Sequence, residues 1–267
     1  MNFTFGIITT VETQGYLDTI IESIRALNIP EYEIIIVGGT YSTTDTRIKH
    51  LPFDETRLHN HITFKKNIIT HFASYENIVY LHDYMAFESG WYEGFLRFNK
   101  ECDGDWQIAM CILKNIDGTR GIDWMGLPND TTYGNVLLPY TYSNPKGMYI
   151  PGNFWVAKKG IMEKYPLNIQ LQWGQGDDIE WSKRVLGGGI NSPWLRENFM
   201  RIPMDVEVDE SECTDKYRMN MYSVMRYLKN KPTNEAFLKE YDGHSGDNSR
   251  PVGFKREDYE YLLRRPS

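Results

Sequence analysis

The chain has 267 residues, with 29 Lys and Arg against 36 Asp and Glu and a formal net charge of −7, which argues against sequence-independent binding to phosphate backbones. Hydrophobic residues make up 41% and charged residues 24%, the composition of a folded chain with a sizeable core and not of a disordered one. The longest purely apolar stretch, Ile108 to Leu113, falls far short of the roughly 20 residues a membrane-spanning helix takes, and the start, Met1-Asn2-Phe3-Thr4-Phe5, lacks the basic n-region of a secretory signal, so the expectation is a cytoplasmic protein with no transmembrane segment.

Phe3 to Thr9 is a short apolar and β-branched run that predicts a strand. After it, Leu17, Ile20, Ile21, Ile24 and Leu27 recur at helical spacing, which predicts a helix from Tyr16 to Leu27. Pro30 stops that helix, and Glu33-Ile34-Ile35-Ile36-Val37 follows as a continuous apolar strand breaking at Gly38-Gly39, the pattern of a buried parallel strand. A second unit runs from a helix with Ile68, Ile69 and Phe72 to the strand Ile78-Val79-Tyr80-Leu81 and ends on His82-Asp83. A helix over Trp91 to Phe98 and a further strand over Ile108 to Leu113 complete this half.

These repeated βαβ signals predict an α/β protein with a mostly parallel, Rossmann-like sheet flanked by helices on both faces. In such sheets ligands sit beyond the carboxyl ends of the strands. Thr9, Thr10 and Glu12, the turn from Gly38 to Tyr41, and His82-Asp83-Tyr84 stand at those ends.

The stretch from Lys114 to Pro151 is rich in Gly, Asn, Pro, Tyr and Thr and reads as long loops with short strands; its aromatic residues Trp124, Tyr133, Tyr140 and Tyr142 suit an acceptor site or a lid. Then come a short strand, Phe154-Trp155-Val156, a helix from Lys158 to Lys164, and the block Trp173-Gly174-Gln175-Gly176-Asp177-Asp178-Ile179-Glu180-Trp181, which opens another helix. Helical spacing from Asp215 onward, with helices near Glu235 to Tyr241 and Arg256 to Arg264, predicts a helical C-terminal extension over 214–267 packed on a catalytic domain of 1–213.

Three cysteines without CxxC spacing suggest neither a disulfide framework nor a zinc knuckle. Two clusters carry chemistry. Asp83 at a strand terminus suits a divalent cation shared with a nucleotide diphosphate, and reads equally as a helix cap or loop residue. Asp177-Asp178 at a helix start suits deprotonation of an acceptor hydroxyl beside an aromatic that packs on a sugar face; it reads also as an acidic helix cap with ordinary pairs from Glu180 to Lys183 or Arg184.

Four stretches, in order, resemble the GT-A superfamily of nucleotide-sugar glycosyltransferases, glycosyltransferase family 2 in particular: Phe5-Gly6-Ile7-Ile8-Thr9-Thr10; Glu33 to Gly39; Lys66-Asn67 through Ile78 to Tyr84 and on to Gly90-Trp91; and Gly176-Asp177-Asp178-Ile179-Glu180-Trp181-Ser182 with Arg184. The resemblance covers roughly residues 3–187. It implies a GT-A fold and transfer of a sugar from a nucleotide-diphosphate donor, a UDP-sugar, to a hydroxyl of a saccharide or glycoconjugate, as in polysaccharide biosynthesis; the acidic net charge separately argues against nucleic acid as a partner. By it, Thr9, Thr10, Glu12, Gly38, Gly39, Lys66, Asn67, His82, Asp83, Gly152 and Asn153 would bind the donor, Asp178 would be the base of an inverting transfer with Asp177 beside it, and Trp173 and Trp181 would bear the acceptor.

The sequence departs from the family in two places. Gly38-Gly39 stands where the family carries an acidic pair, and the Asp-x-Asp metal motif reads His82-Asp83-Tyr84. A cofactor, Mn²⁺ or Mg²⁺, would then rest on Asp83 with His244 closing over it, or a basic group such as Lys66 would take its place. Competing readings are a sugar nucleotidyltransferase, which Thr9 to Gly15 disfavours by having one glycine and no Lys or Arg, and a nucleotide-sugar-binding protein of the same fold without turnover.

Overall fold

The computed structural model describes residues 1–11, 14–55, 61–114, 121–123, 125–126, 136–137, 148–171, 177–186, 200–201 and 207–210. The expected helical extension over 214–267 lies outside the described residues, as do Trp124, Tyr133, Tyr140 and Tyr142.

In chain order the elements are β1 (Phe3–Ile8), a 3₁₀ turn (Gln14–Tyr16), α1 (Leu17–Ala26), β2 (Tyr32–Val37), β3 (Ile48–Leu51), α2 (Ile62–Phe72), β4 (Asn77–His82), β5 (Met85–Phe87) and α3 (Trp91–Glu101). They continue with β6 (Ile108–Ala109), β7 (Ile112–Lys114), β8 (Met125–Gly126), β9 (Val136–Leu137), β10 (Met148–Tyr149), β11 (Phe154–Lys158), α4 (Lys159–Lys164), α5 (Asp177–Leu186), β12 (Met200–Arg201) and β13 (Glu207–Glu210).

Among the described residues the main sheet has seven strands, in the order β12-β6-β11-β4-β1-β2-β3. β1 pairs in parallel with β2 on one side and β4 on the other, so the strand order reverses at β1, which is where open α/β sheets form their ligand crevice. β11 runs antiparallel to both β4 and β6. That reversal brings the start of β11, and with it Gly152 and Asn153, to the carboxyl end of β4.

Side chains alternate across the central strands with period two. Phe3, Phe5 and Ile7 of β1, Ile34 and Ile36 of β2, and Val79 and Leu81 of β4 face one core with α1 and α3. Ile35 and Val37, Ile78 and Tyr80, and Trp155 of β11 face the other, against α2, α4 and α5. Gly6 belongs to this second face: a Cβ there would collide with Ile69 of α2, so its absence lets α2 lie close on β1 and brings Lys65 and Lys66 over the strand ends.

The expected strand over Ile108 to Leu113 divides. Ile108–Ala109 joins the main sheet beside β11, whereas Ile112–Lys114 pairs with β13 in a separate three-stranded sheet ordered β5-β13-β7. Met110 and Cys111, between the two halves, are fully buried, so the apolar run marks continuous burial and not one strand. β10, β8 and β9 form a third small sheet. No helix among the described residues is long and apolar enough to cross a membrane.

Candidate functional site

The carboxyl ends of β1, β2 and β4 are held together by polar contacts that the strand pairing alone does not supply. The Thr9 amide donates to the Val37 carbonyl at 3.0 Å, and the Gly38 amide donates to the Leu51 carbonyl at 3.0 Å. Gly38 turns the chain with φ +95°, and a Cβ there would drive into the Thr9 carbonyl. Gly39, with φ +59°, continues that turn.

Across the reversal point, the Thr9 hydroxyl donates to Asp83 Oδ2 at 2.6 Å, and both residues are buried. Asp83 therefore stands immediately after the carboxyl end of β4, beside the reversal of strand order. Thr10, partly exposed, lends its carbonyl to the Thr9 hydroxyl at 3.2 Å. Tyr84, at the position of the metal motif's second acid, packs into the core with α1 and α3.

Two consecutive lysines on α2, Lys65 and Lys66, are each only 1% exposed, and they reach opposite halves of the site. Lys65 Nζ donates to the Thr9 carbonyl at 2.7 Å, pairs with Glu55, and feels the charge of Asp83. Burial pulls its pKa down, and the two carboxylates oppose that. Lys66 Nζ donates to the Gly152 carbonyl at 2.6 Å and lies 4.5 Å from the Trp155 ring centroid. Its pKa too is lowered by burial, against the pull of Asp177 and Asp178.

Gly152 joins that lysine to the acid pair. Its amide donates to Asp178 Oδ2 at 3.0 Å, and Asp178 Oδ1 accepts from the Ile179 amide at 2.8 Å at the open end of α5. Both oxygens of Asp178 thus rest on backbone amides, an arrangement that favours the carboxylate. Removal from water works the other way and dominates, so the Asp178 pKa is raised. Asp177 is raised as well, chiefly by burial and then by the neighbouring charge of Asp178. Its Oδ2 is buried with no hydrogen-bond partner among the described residues.

Asp83 and Asp178 come to the same end of the sheet from distant parts of the chain. The His82 amide donates to the Asn153 carbonyl at 3.2 Å, so the residue before Asp83 and the residue after Gly152 are joined. The buried His82 ring takes the Gly152 carbonyl as a hydrogen-bond partner, and burial next to Lys66 holds its pKa well below 6.5.

Other expected site residues are engaged inside the fold. Asn67 forms a reciprocal pair with the Leu167 backbone, donating to its carbonyl at 2.8 Å and accepting from its amide at 2.9 Å. Asn153 donates to the Ile122 carbonyl at 3.2 Å and accepts from the Phe154 amide at 3.0 Å. Trp181 is 1% exposed, donates through Nε1 to the Tyr165 carbonyl at 2.6 Å and stacks on Trp155, so neither ring face is open to a sugar. Glu12, Trp173 and His244 lie outside the described residues. Sequence reasoning did not single out Lys65 and Glu55; the signal was a pair of lysines inside the apolar pattern Phe64, Ile68, Ile69.

Among the described residues no three His, Cys, Asp or Glu side chains gather as a metal cluster. A Mg²⁺ or Mn²⁺ that draws most of its oxygens from a diphosphate and water needs only one or two protein carboxylates. Asp83 fits that requirement.

No protein-family model matches the chain, and no curated protein sequence matches it. Solved structures do. S. aureus TarS matches with a TM-score of 0.50 at 12% identity, over 99% of this chain and 46% of the TarS chain. The chain thus spans less than half of that longer protein. TarS 1–349 matches with a TM-score of 0.51 at 13% identity, covering 99% of this chain and 76% of the other. TarS 1–349 in complex with UDP matches with a TM-score of 0.54 at 14% identity, over 97% and 77%. Together with a mostly parallel sheet flanked by helices, these likenesses show that the chain has the GT-A fold.

Proposed function

We propose that this protein is a glycosyltransferase that moves a sugar from a nucleotide-diphosphate donor, a UDP-sugar, to a hydroxyl of a saccharide or glycoconjugate acceptor. The observation that carries the reading is the meeting at one sheet end of Asp83, buttressed by Thr9, and Asp178, set on the Gly152 amide. The GT-A fold supports it, as does TarS, a likeness solved in complex with UDP.

Asp178 takes the proton from the acceptor hydroxyl as it attacks the anomeric carbon from the face opposite the leaving diphosphate, which inverts that centre. A carboxyl with a raised pKa serves as a stronger base once ionised. A divalent cation at Asp83 would neutralise charge developing on the departing diphosphate. Lys65 adds a fixed positive charge on the same side, beside Thr9 and Asp83.

Calorimetric titration with UDP, GDP and CMP, each with and without Mn²⁺, tests the reading. UDP should bind most tightly, more so with Mn²⁺, and Asp83→Ala should lose that gain. Absence of binding by any nucleotide, or equal affinities in Asp83→Ala and wild type, would overturn it. Tyr84, buried where the motif's second acid would stand, favours as a second reading a nucleotide-sugar-binding protein without turnover; donor binding with no transfer would select it.

A further inference from the structure

We infer that Lys66 is a positioning residue for the base: its ammonium, seated on the Gly152 carbonyl while Asp178 is seated on the Gly152 amide, balances the two adjacent carboxylates so that Asp178 stays ionised and aimed. The inference rests on the glycosyl-transfer reading of Asp178 and changes the part expected of Lys66, from donor contact to partner of the acid pair.

Gly152 links this lysine to the base. Lys66 Nζ lies 2.6 Å from the Gly152 carbonyl oxygen and over the Trp155 ring, and a Cβ on Gly152 would sit 3.6 Å from Lys66 Nζ and 3.5 Å from Asp178 Oδ2. One residue without a side chain therefore separates cation from base. A bulkier residue there would stand between them and add a low-dielectric wall. Lys65, not Lys66, is the lysine that faces Thr9 and Asp83.

Two like charges side by side in a buried site cannot both ionise without compensation. Among the described residues the charged groups facing the acid pair are Lys66 from α2 and, on α5 itself, Glu180, which is paired at 2.7 Å with Arg184. From β4 the buried His82 ring faces Lys66 and, with its pKa held low, stays neutral near pH 7. Lys66 is thus the cation that answers Asp177 and Asp178 among the described residues. With it in place Asp177 holds a proton more readily than Asp178, whose two oxygens already accept backbone amides.

Carboxyl ¹³C NMR titration of aspartate-labelled protein reads this without substrate, with Asp178 assigned by its loss in Asp178→Asn. In Lys66→Met the Asp178 ionisation constant should fall at least tenfold, and the acid limb of kcat/KM should move up in pH by the same amount while the donor KM stays within twofold. Because Lys66→Met strands a buried acid pair, the comparison is repeated between Asp177→Asn and the double variant Asp177→Asn/Lys66→Met, in which position 177 cannot ionise. The same upward movement should appear on adding Lys66→Met to that background, whereas Asp177→Asn alone, which replaces a group still protonated where Asp178 titrates, should leave Asp178 nearly unmoved. An unchanged Asp178 titration in either comparison overturns the inference. Nucleotide binding is scored separately: a protein that binds no nucleotide fails as a glycosyltransferase whatever its carboxyl titration shows.

Discussion

Replacing Gly38 with alanine attacks the turn that gathers the strand ends. At φ +95° an L-residue costs about 1–2 kcal/mol. The new Cβ would also penetrate the Thr9 carbonyl, and would lie 3.0 Å from Lys65 Nζ. Thr9 must retreat by the better part of an ångström, which loosens the Thr9 amide bond to Val37 and the Lys65 bond to the Thr9 carbonyl. At about 0.5–1.5 kcal/mol for each hydrogen bond, the whole loss comes to about 3 kcal/mol, a large part of the roughly 5–15 kcal/mol that holds a domain together.

Gly90 provides the control, since it has φ +88° and a Cβ there would meet nothing within 4 Å. Gly90→Ala should therefore cost only the dihedral contribution, about 1–2 kcal/mol. Urea unfolding followed by tryptophan fluorescence measures both. The displaced Thr9 also supports Asp83, so Gly38→Ala should weaken UDP binding and Gly90→Ala should not. Equal stability losses and unchanged UDP affinity in the two variants would refute the reasoning.

Thr9→Val keeps the volume and removes the hydroxyl that meets Asp83 at 2.6 Å; a loss of about 1–2 kcal/mol in urea unfolding is expected, and a change below about 0.3 kcal/mol would deny the bond its role. Asp177 has a folded pKa raised above its unfolded value, so its contribution to stability is present at acid pH and is lost as pH rises through the raised value. Asp177→Asn cannot ionise; its unfolding midpoint relative to wild type should climb from pH 5 to pH 8.5, and a flat difference would contradict the burial of that charge. Gly6→Ala, which meets Ile69, should cost about 1–3 kcal/mol through overpacking and should lower activity because Lys65 and Lys66 ride on the displaced helix; unaltered stability would show that α2 does not depend on that close approach.

The central strands and α1 are legible in the sequence because each is buried on a repeating pattern: Ile34 to Val37 on both faces of a parallel strand, Leu17 to Ile24 along one helical stripe. β3 carries no such signature. Its four residues, Ile48 to Leu51, alternate only once between buried ends and an exposed Lys49, as an edge strand does. β5 is three residues whose partner, β13, lies more than a hundred positions on, and local pattern carries no trace of such pairing. The break within Ile108 to Leu113 is hidden in the sequence because burial and strand pairing give the same apolar signature.

The candidate site is legible where polar residues coincide with a strand or helix end, as at Thr9, Gly38, Asp83 and Asp178, which the fold gathers at one end of the sheet. It is less so where residue type suggests ligand contact and tertiary packing uses the side chain internally. Trp181 fills space against Trp155, and the Asn67 amide fastens α2 to the backbone of Leu167. Residue type alone does not distinguish an indole that stacks on a ligand from one that stacks on another indole.

Asp178→Asn tests the central claim most directly when UDP binding and sugar transfer are measured on the same sample. Asparagine keeps an oxygen for the Gly152 amide but cannot accept the acceptor's proton. UDP affinity within about twofold of wild type together with transfer reduced by about two to four orders of magnitude is expected for loss of a general base. Transfer at the wild-type rate in this variant would contradict the account.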